Sequence, residues 1–120
     1  MDTNAVIDYL GDKLPDKGSL LMDKLPITIS IVTRIEVLGW YGINDDQLKR
    51  LTSFMEDAII YPLEDVYVER TIQLRQQYKI KLPDAVIAAT ALVEGLALIT
   101  RNMGDFKNIA GLKVINPHEQ

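Results

Sequence analysis

Residues 27–32, Ile-Thr-Ile-Ser-Ile-Val, alternate in polarity and are mostly β-branched, the pattern of a half-buried strand. Residues 58–61, Ala-Ile-Ile-Tyr, form a second apolar run of strand length, stopped by Pro62. Between them, Leu48, Leu51, Thr52 and Met55 recur at the spacing of one helical face, which predicts a helix over 45–56. A longer helix is predicted over 64–79, with acids early and Arg70, Arg75 and Lys79 late, matching the helix dipole. After the break at Lys81-Leu82-Pro83, residues 83–94 are apolar nearly all round. Ala85, Ala88, Ala89 and Ala91 are small enough there for close packing against a sheet, and Gly95 supplies the cap. Short strands are predicted at 97–100 and 113–116. Near the start, 4–10 read as a helix entered through Asp2, Thr3 or Asn4, 11–18 as a loop, 20–25 as an apolar turn, and a helix begins at Thr33. Strand and helix in alternation mark a parallel α/β sheet.

The 120 residues suffice for one domain, 1–120, and 48% apolar content allows a sizeable core. No cysteine is present, which excludes disulfides, thiolate zinc sites and a cysteine nucleophile, and suits a reducing cytoplasm. The one histidine, His118, falls near the end and reads as a solvated tail residue, so mechanisms that shuttle protons through core imidazoles are excluded. Ser19, Ser30 and Ser53 lie outside any nucleophile elbow, and no phosphate-binding glycine loop occurs. The net charge of −4 has the wrong sign for holding nucleic acid by backbone electrostatics alone, unless bound cations reverse it locally. The most hydrophobic stretch, 85–99, is broken by Glu94 and Gly95, so no membrane span is expected. A soluble cytoplasmic protein is the expectation.

Four acids stand beside residues suited to fixing them: Asp2 in MDTN, Glu36 in SIVTRIE, Asp84 in LPDAVIAATA and Asp105 in TRNMGDF. Ligands in a parallel sheet bind beyond the carboxyl ends of the strands. Glu36 follows one predicted strand, Asp105 follows another, and Asp84 opens a helix facing the same crevice. Oxygen donors of this kind suit magnesium or manganese, which orient a water and a phosphate for hydrolysis. Each acid also has a purely structural reading: Thr33-x-x-Glu36 as a capping box, Asp84 as a first-turn acid, Asp2 as an N-cap and Asp105 as a turn residue. Their convergence favours a metal site, since clustered carboxylates stay ionised only with a cation among them. The remaining acids, Asp8, Asp12, Asp16, Asp23, Asp45, Asp46, Glu56, Asp57, Glu64, Asp65, Glu69, Glu94 and Glu119, are assigned to loops and solvated faces. Trp40, Tyr41 and Tyr9 are weighed as base-stacking groups against packing in a core or subunit contact, which is favoured.

At these motifs the chain resembles the PIN-domain ribonucleases, in particular the VapC-type toxins of prokaryotic toxin–antitoxin pairs. DTNAVIDYL is similar to the family's opening motif, ISIVTRIEVLG to the second and LPDAVIAATALVEGLALITRN to the third, with GDF carrying the fourth acid and GLKVINP the closing strand. The resemblance implies a three-layer α/β/α sandwich on a central, five-stranded parallel sheet. It also implies that Asp2, Glu36, Asp84 and Asp105 bind Mg²⁺ or Mn²⁺ and catalyse endonucleolytic cutting of RNA, often transfer or ribosomal RNA, leaving 5′-phosphate and 3′-hydroxyl ends. Asn4, Thr33, Thr100 and Asn102 would be supporting polar residues, and Arg34, Arg101 and Lys107 candidates for RNA phosphates. A cognate VapB-type antitoxin and a homodimer are the implied partners, with 40–55 the expected contact region.

One departure concerns the first strand. The family places a short apolar strand before the first aspartate, in mid-sheet, whereas here only Met1 precedes Asp2. The first strand thus reads as truncated, and the native chain is expected to begin several residues earlier; with Met1 as the true start, Asp2 is expected to be poorly anchored. Two other classes compete: a PIN-like scaffold that binds RNA or protein without cutting, and an α/β phosphoacceptor receiver. Tyr61 and Arg101 stand where a receiver needs its strand-end aspartate and lysine, which disfavours it.

Overall fold

Asp2 caps helix α1, Thr3–Leu10, accepting a hydrogen bond from the Ala5 amide, so the chain turns into a helix immediately after its second residue. The structure, a computed structural model, describes residues 1–11 and 13–119; Asp12, expected on a solvated loop, lies outside them. Helix α2, Asp16–Asp23, follows where a loop and an apolar turn were expected. Gly18 in its middle hid it, because glycine lowers helix propensity. That glycine is required by packing: a Cβ there would stand 2.0 Å from the Pro117 carbonyl oxygen.

Strand β1, Thr28–Ser30, ends earlier than its alternating pattern suggests. Ser30 caps helix α3, Ile31–Leu38, through the Val32 amide, so the β-branched Ile31 and Val32 are helical. Thr33 is therefore inside the helix, and the expected Thr33–Glu36 capping box does not form. A capping box does form at helix α4, Asp45–Glu56, between Asn44 and Gln47. Strand β2, Ile59–Tyr61, helix α5, Asp65–Gln77, and helix α6, Leu82–Glu94, lie close to their predicted places. Gly95, with φ of 67°, closes α6 in the left-handed conformation. Strand β3, Leu98–Ile99, helix α7, Met103–Phe106, strand β4, Val114–Ile115, and a final 3₁₀ turn, Pro117–Glu119, complete the chain.

Pairing is parallel throughout, but the expected five-stranded sheet is replaced, among the described residues, by two pairs. β1 pairs with β2, Ile29 opposite Ile60, and β3 with β4, Ile99 opposite Ile115. Met1 and Asp2 bridge them: the α-amino group donates to the Thr28 carbonyl at 3.0 Å, and the Asp2 amide to the Ile99 carbonyl at 3.1 Å. Two residues thus occupy the place of a central strand, and beyond them a cavity of about 220 Å³ opens between Ile29, Ser30, Leu98 and Ile99.

Three apolar clusters hold the layers. One joins Leu74 of α5, Ile87, Ala88 and Ala91 of α6, Leu98 and Phe106. A second joins Val6, Ile29, Val37, Leu51 and Met55, and a third Ala5, Leu14, Met22 and Ile99. Neighbouring residues of α1, Ala5 and Val6, enter different clusters, which fixes the helix that carries Asp2 at its head. Among the described residues no helix is long and apolar enough to cross a membrane.

Candidate active site

Asp2 is buried and doubly held, contrary to the expectation of poor anchorage. Its Oδ1 accepts from the Ala5 amide at 2.9 Å and its Oδ2 from the Thr100 hydroxyl at 2.5 Å. Burial pushes its pKa up, while those two hydrogen bonds and the charges of the α-amino group and Arg101 pull it down. Thr100, at the end of β3, also accepts the Asn102 amide at 2.9 Å, and the Asn102 side chain donates to Asp105 at 2.6 Å. One relay of hydrogen bonds therefore runs from Asp2 through Thr100 and Asn102 to Asp105 in α7.

Glu36 arrives from α3, exposed, and accepts the Thr3 hydroxyl at 2.5 Å. Asp84 stands in the first turn of α6, behind Pro83 in the helix's opening positions, and has no hydrogen-bond partner among the described residues. Its pKa is raised, first by burial and then by the charges of Asp105, Asp2 and Glu36. Three acids from three other segments thus act electrostatically on Asp84. No group of three among the described residues is close enough to grip an ion as it stands. Asp2, Glu36 and Asp105 are each turned toward a neighbouring donor, respectively the Ala5 amide with the Thr100 hydroxyl, the Thr3 hydroxyl and the Asn102 side chain. Glu36 and Asp105 are exposed, each tied by one of these hydrogen bonds. The donor set is all hard oxygen, with one unpartnered, half-buried carboxylate, and fits magnesium or manganese.

Of the supporting residues, Thr100 and Asn102 make the contacts just described. Thr33 is fully buried one turn before Glu36, and its hydroxyl has no partner among the described residues. Asn4 is exposed, as are Arg34 and Lys107. Tyr41 is 98% exposed and Trp40 is half exposed, so neither lies in the core, whereas Tyr9 packs against the cluster of Ala5, Leu14, Met22 and Ile99, as expected, with its hydroxyl donating to Asp23.

Sequence reasoning missed Thr3, which holds Glu36, and misplaced two residues. Asp8, expected in solvent, is 3% exposed, and His118, expected as a free tail, is bonded to it at 3.0 Å. The signal for Asp8 was its spacing, three residues after buried Ala5 on one helix face. The other acids assigned to solvent are exposed wherever described.

A PIN-domain family model matches residues 1–112. The chain belongs to the PIN-domain family. This PIN domain is 40% identical over 125 residues to the ribonuclease VapC1 of Rickettsia felis, covering 96% of this chain and 92% of the relative. Among solved structures it is similar to the toxin–antitoxin complex from Klebsiella pneumoniae, at 36% identity and a TM-score of 0.79, over 97% of this chain and 94% of that one. The DNA-bound VapBC from Salmonella typhimurium shares the fold, with a TM-score of 0.83 at 21% identity over 97% and 95% of the two chains.

Proposed function

We propose that this PIN domain is a metal-dependent endoribonuclease, the toxin of a VapBC-type toxin–antitoxin pair, acting in the cytoplasm on transfer or ribosomal RNA. The observation that carries the reading is Asp84, whose carboxyl is pushed up first by burial and then by three acids brought from other parts of the chain. The name of the Rickettsia felis relative and the toxin–antitoxin nature of the Klebsiella pneumoniae structure support the activity and the antitoxin partner.

Asp2, Glu36, Asp84 and Asp105 would hold Mg²⁺ or Mn²⁺, which when bound supplies an activated water and neutralises charge on the phosphate. The protein's own part is positional. Thr100 and the Ala5 amide fix Asp2, Asn102 aims Asp105, and Thr3 steadies Glu36. Half-exposed Trp40 and exposed Tyr41 and Leu48 provide apolar surface for an antitoxin or a second copy of the toxin.

Cleavage of RNA that requires added Mn²⁺ or Mg²⁺, and disappears in a folded Asp84→Asn variant, is the expected result. A second reading, a scaffold that binds without cutting, draws on the lack of three acids poised around one point. It predicts RNA or protein binding with no cleavage in either metal.

A further inference from the structure

Asp8 is buried two turns beyond Asp2 along α1, where an unpaired carboxylate would be costly. Two groups from the far end of the chain meet it. His118 Nε2 lies 3.0 Å from Oδ2, and Arg101 Nη1 lies 3.3 Å from Oδ2 and 3.4 Å from Oδ1. Nothing in the acid cleft uses Asp8 directly.

Arg101 has a distinctive place. It sits between Thr100, which bonds Asp2, and Asn102, which bonds Asp105. Its side chain is 51% exposed, and only Nη1 is engaged among the described residues, so the other edge of the guanidinium fork is open to a ligand. An arginine is flexible, but its planar fork is pre-organised once one edge is fixed. On a protein of net charge −4, a cation that receives phosphate must be placed locally, since the overall field repels RNA.

We propose that Asp8 is a positioning residue: it holds one edge of Arg101 so that the other edge receives an RNA phosphate beside the one being cut, with His118 bracing the carboxylate. Six residues of helix span ~9 Å, so a guanidinium tethered at Asp8 stands a step along the RNA from the level of Asp2. The assignment rests on the ribonuclease reading.

The test uses a labelled single-stranded RNA oligonucleotide with Mn²⁺. Asp8→Asn should raise KM about fivefold to tenfold with kcat within about twofold, as for a lost phosphate contact outside the chemistry. Arg101→Ala should do the same and lower the slope of log affinity against log salt by about one. The double variant should be no worse than Arg101→Ala, because both remove one interaction. Unchanged KM in Asp8→Asn, multiplied penalties in the double variant, or a lower KM, as expected if Asp8 only dampens the arginine's charge, would each overturn the proposal. Should Asp8→Asn fail to fold, Arg101→Lys decides, since it keeps the charge and loses the fork. A KM near that of Arg101→Ala supports the assignment, and a wild-type KM refutes it. Fluorescence anisotropy of the RNA on the same proteins separates the two readings: no cleavage by wild type defeats the nuclease, while Kd values still judge Asp8.

Discussion

The Thr100 hydroxyl donates to Asp2 across 98 residues of sequence, at 2.5 Å, while accepting the Asn102 amide. A single buried oxygen thereby joins the first and last acids of the cleft. Thr100→Val keeps the shape and removes both bonds. It should cost about 1.5–3 kcal/mol of stability, the scale of a buried hydrogen bond to a charged group, by urea denaturation. RNA cleavage should fall on the order of 100-fold through misplacement of Asp2. Thr100→Ser should restore most of both.

Removing a charge from the cleft should stabilise the protein without metal. The raised pKa of Asp84 means its ionisation costs more in the folded chain than in the unfolded one. That cost is absent below the ordinary carboxylate pKa, grows as pH rises from that value to the raised one, and is complete above it. Asp84→Asn should therefore raise the metal-free Tm at pH 7 relative to wild type. Mn²⁺ should stabilise wild type by about 2.7 kcal/mol at a hundred times its Kd, and Asp84→Asn far less. Calorimetry with and without chelator reads both.

The α-amino group of Met1 sets a second pH window. Burial pushes its pKa down to about 6 from 8.0, against the pull of Asp2. The unfolded chain then binds the proton more readily, so the cost is absent above pH 8, builds as pH falls from 8 to 6, and is complete below. Two units correspond to roughly 2–3 kcal/mol. Urea midpoints should rise from pH 6 to 8, and acetylating Met1 should flatten that rise.

Gly18→Ala would drive a methyl into the Pro117 carbonyl. Overpacking of this kind costs about 1–3 kcal/mol, and the final turn should lift from α2, taking His118 away from Asp8. Hydrogen exchange at the His118 and Glu119 amides, which donate to Asn116, should quicken relative to wild type.

Much of this fold was legible because its signals were local. The alanines of α6, the stop at Pro62 and the cap at Gly95 act within a few residues. What escaped was decided by distant partners. Ile31 and Val32 look like strand, yet the Ser30 cap turns them into helix, and tertiary packing outweighs their propensity. Gly18 looked like a breaker because Pro117 was not visible beside it. The four acids were expected on motif and topology, and the fold sets three of them where they bear on Asp84, but Asp8 and His118 were misplaced, since their pairing spans 110 residues. The split of the sheet was also hidden, because it depends on what Met1 and Asp2 touch on either side.

The clasp between Asp2 and Thr100 has a consequence for synthesis. A ribosome makes Asp2 98 residues before Thr100, and Asp105 later still, so the cleft has neither its latch nor its fourth acid until that later stretch has been translated. The growing chain carries no complete site before then, and whatever chemistry the cleft performs waits for that stretch to emerge and dock.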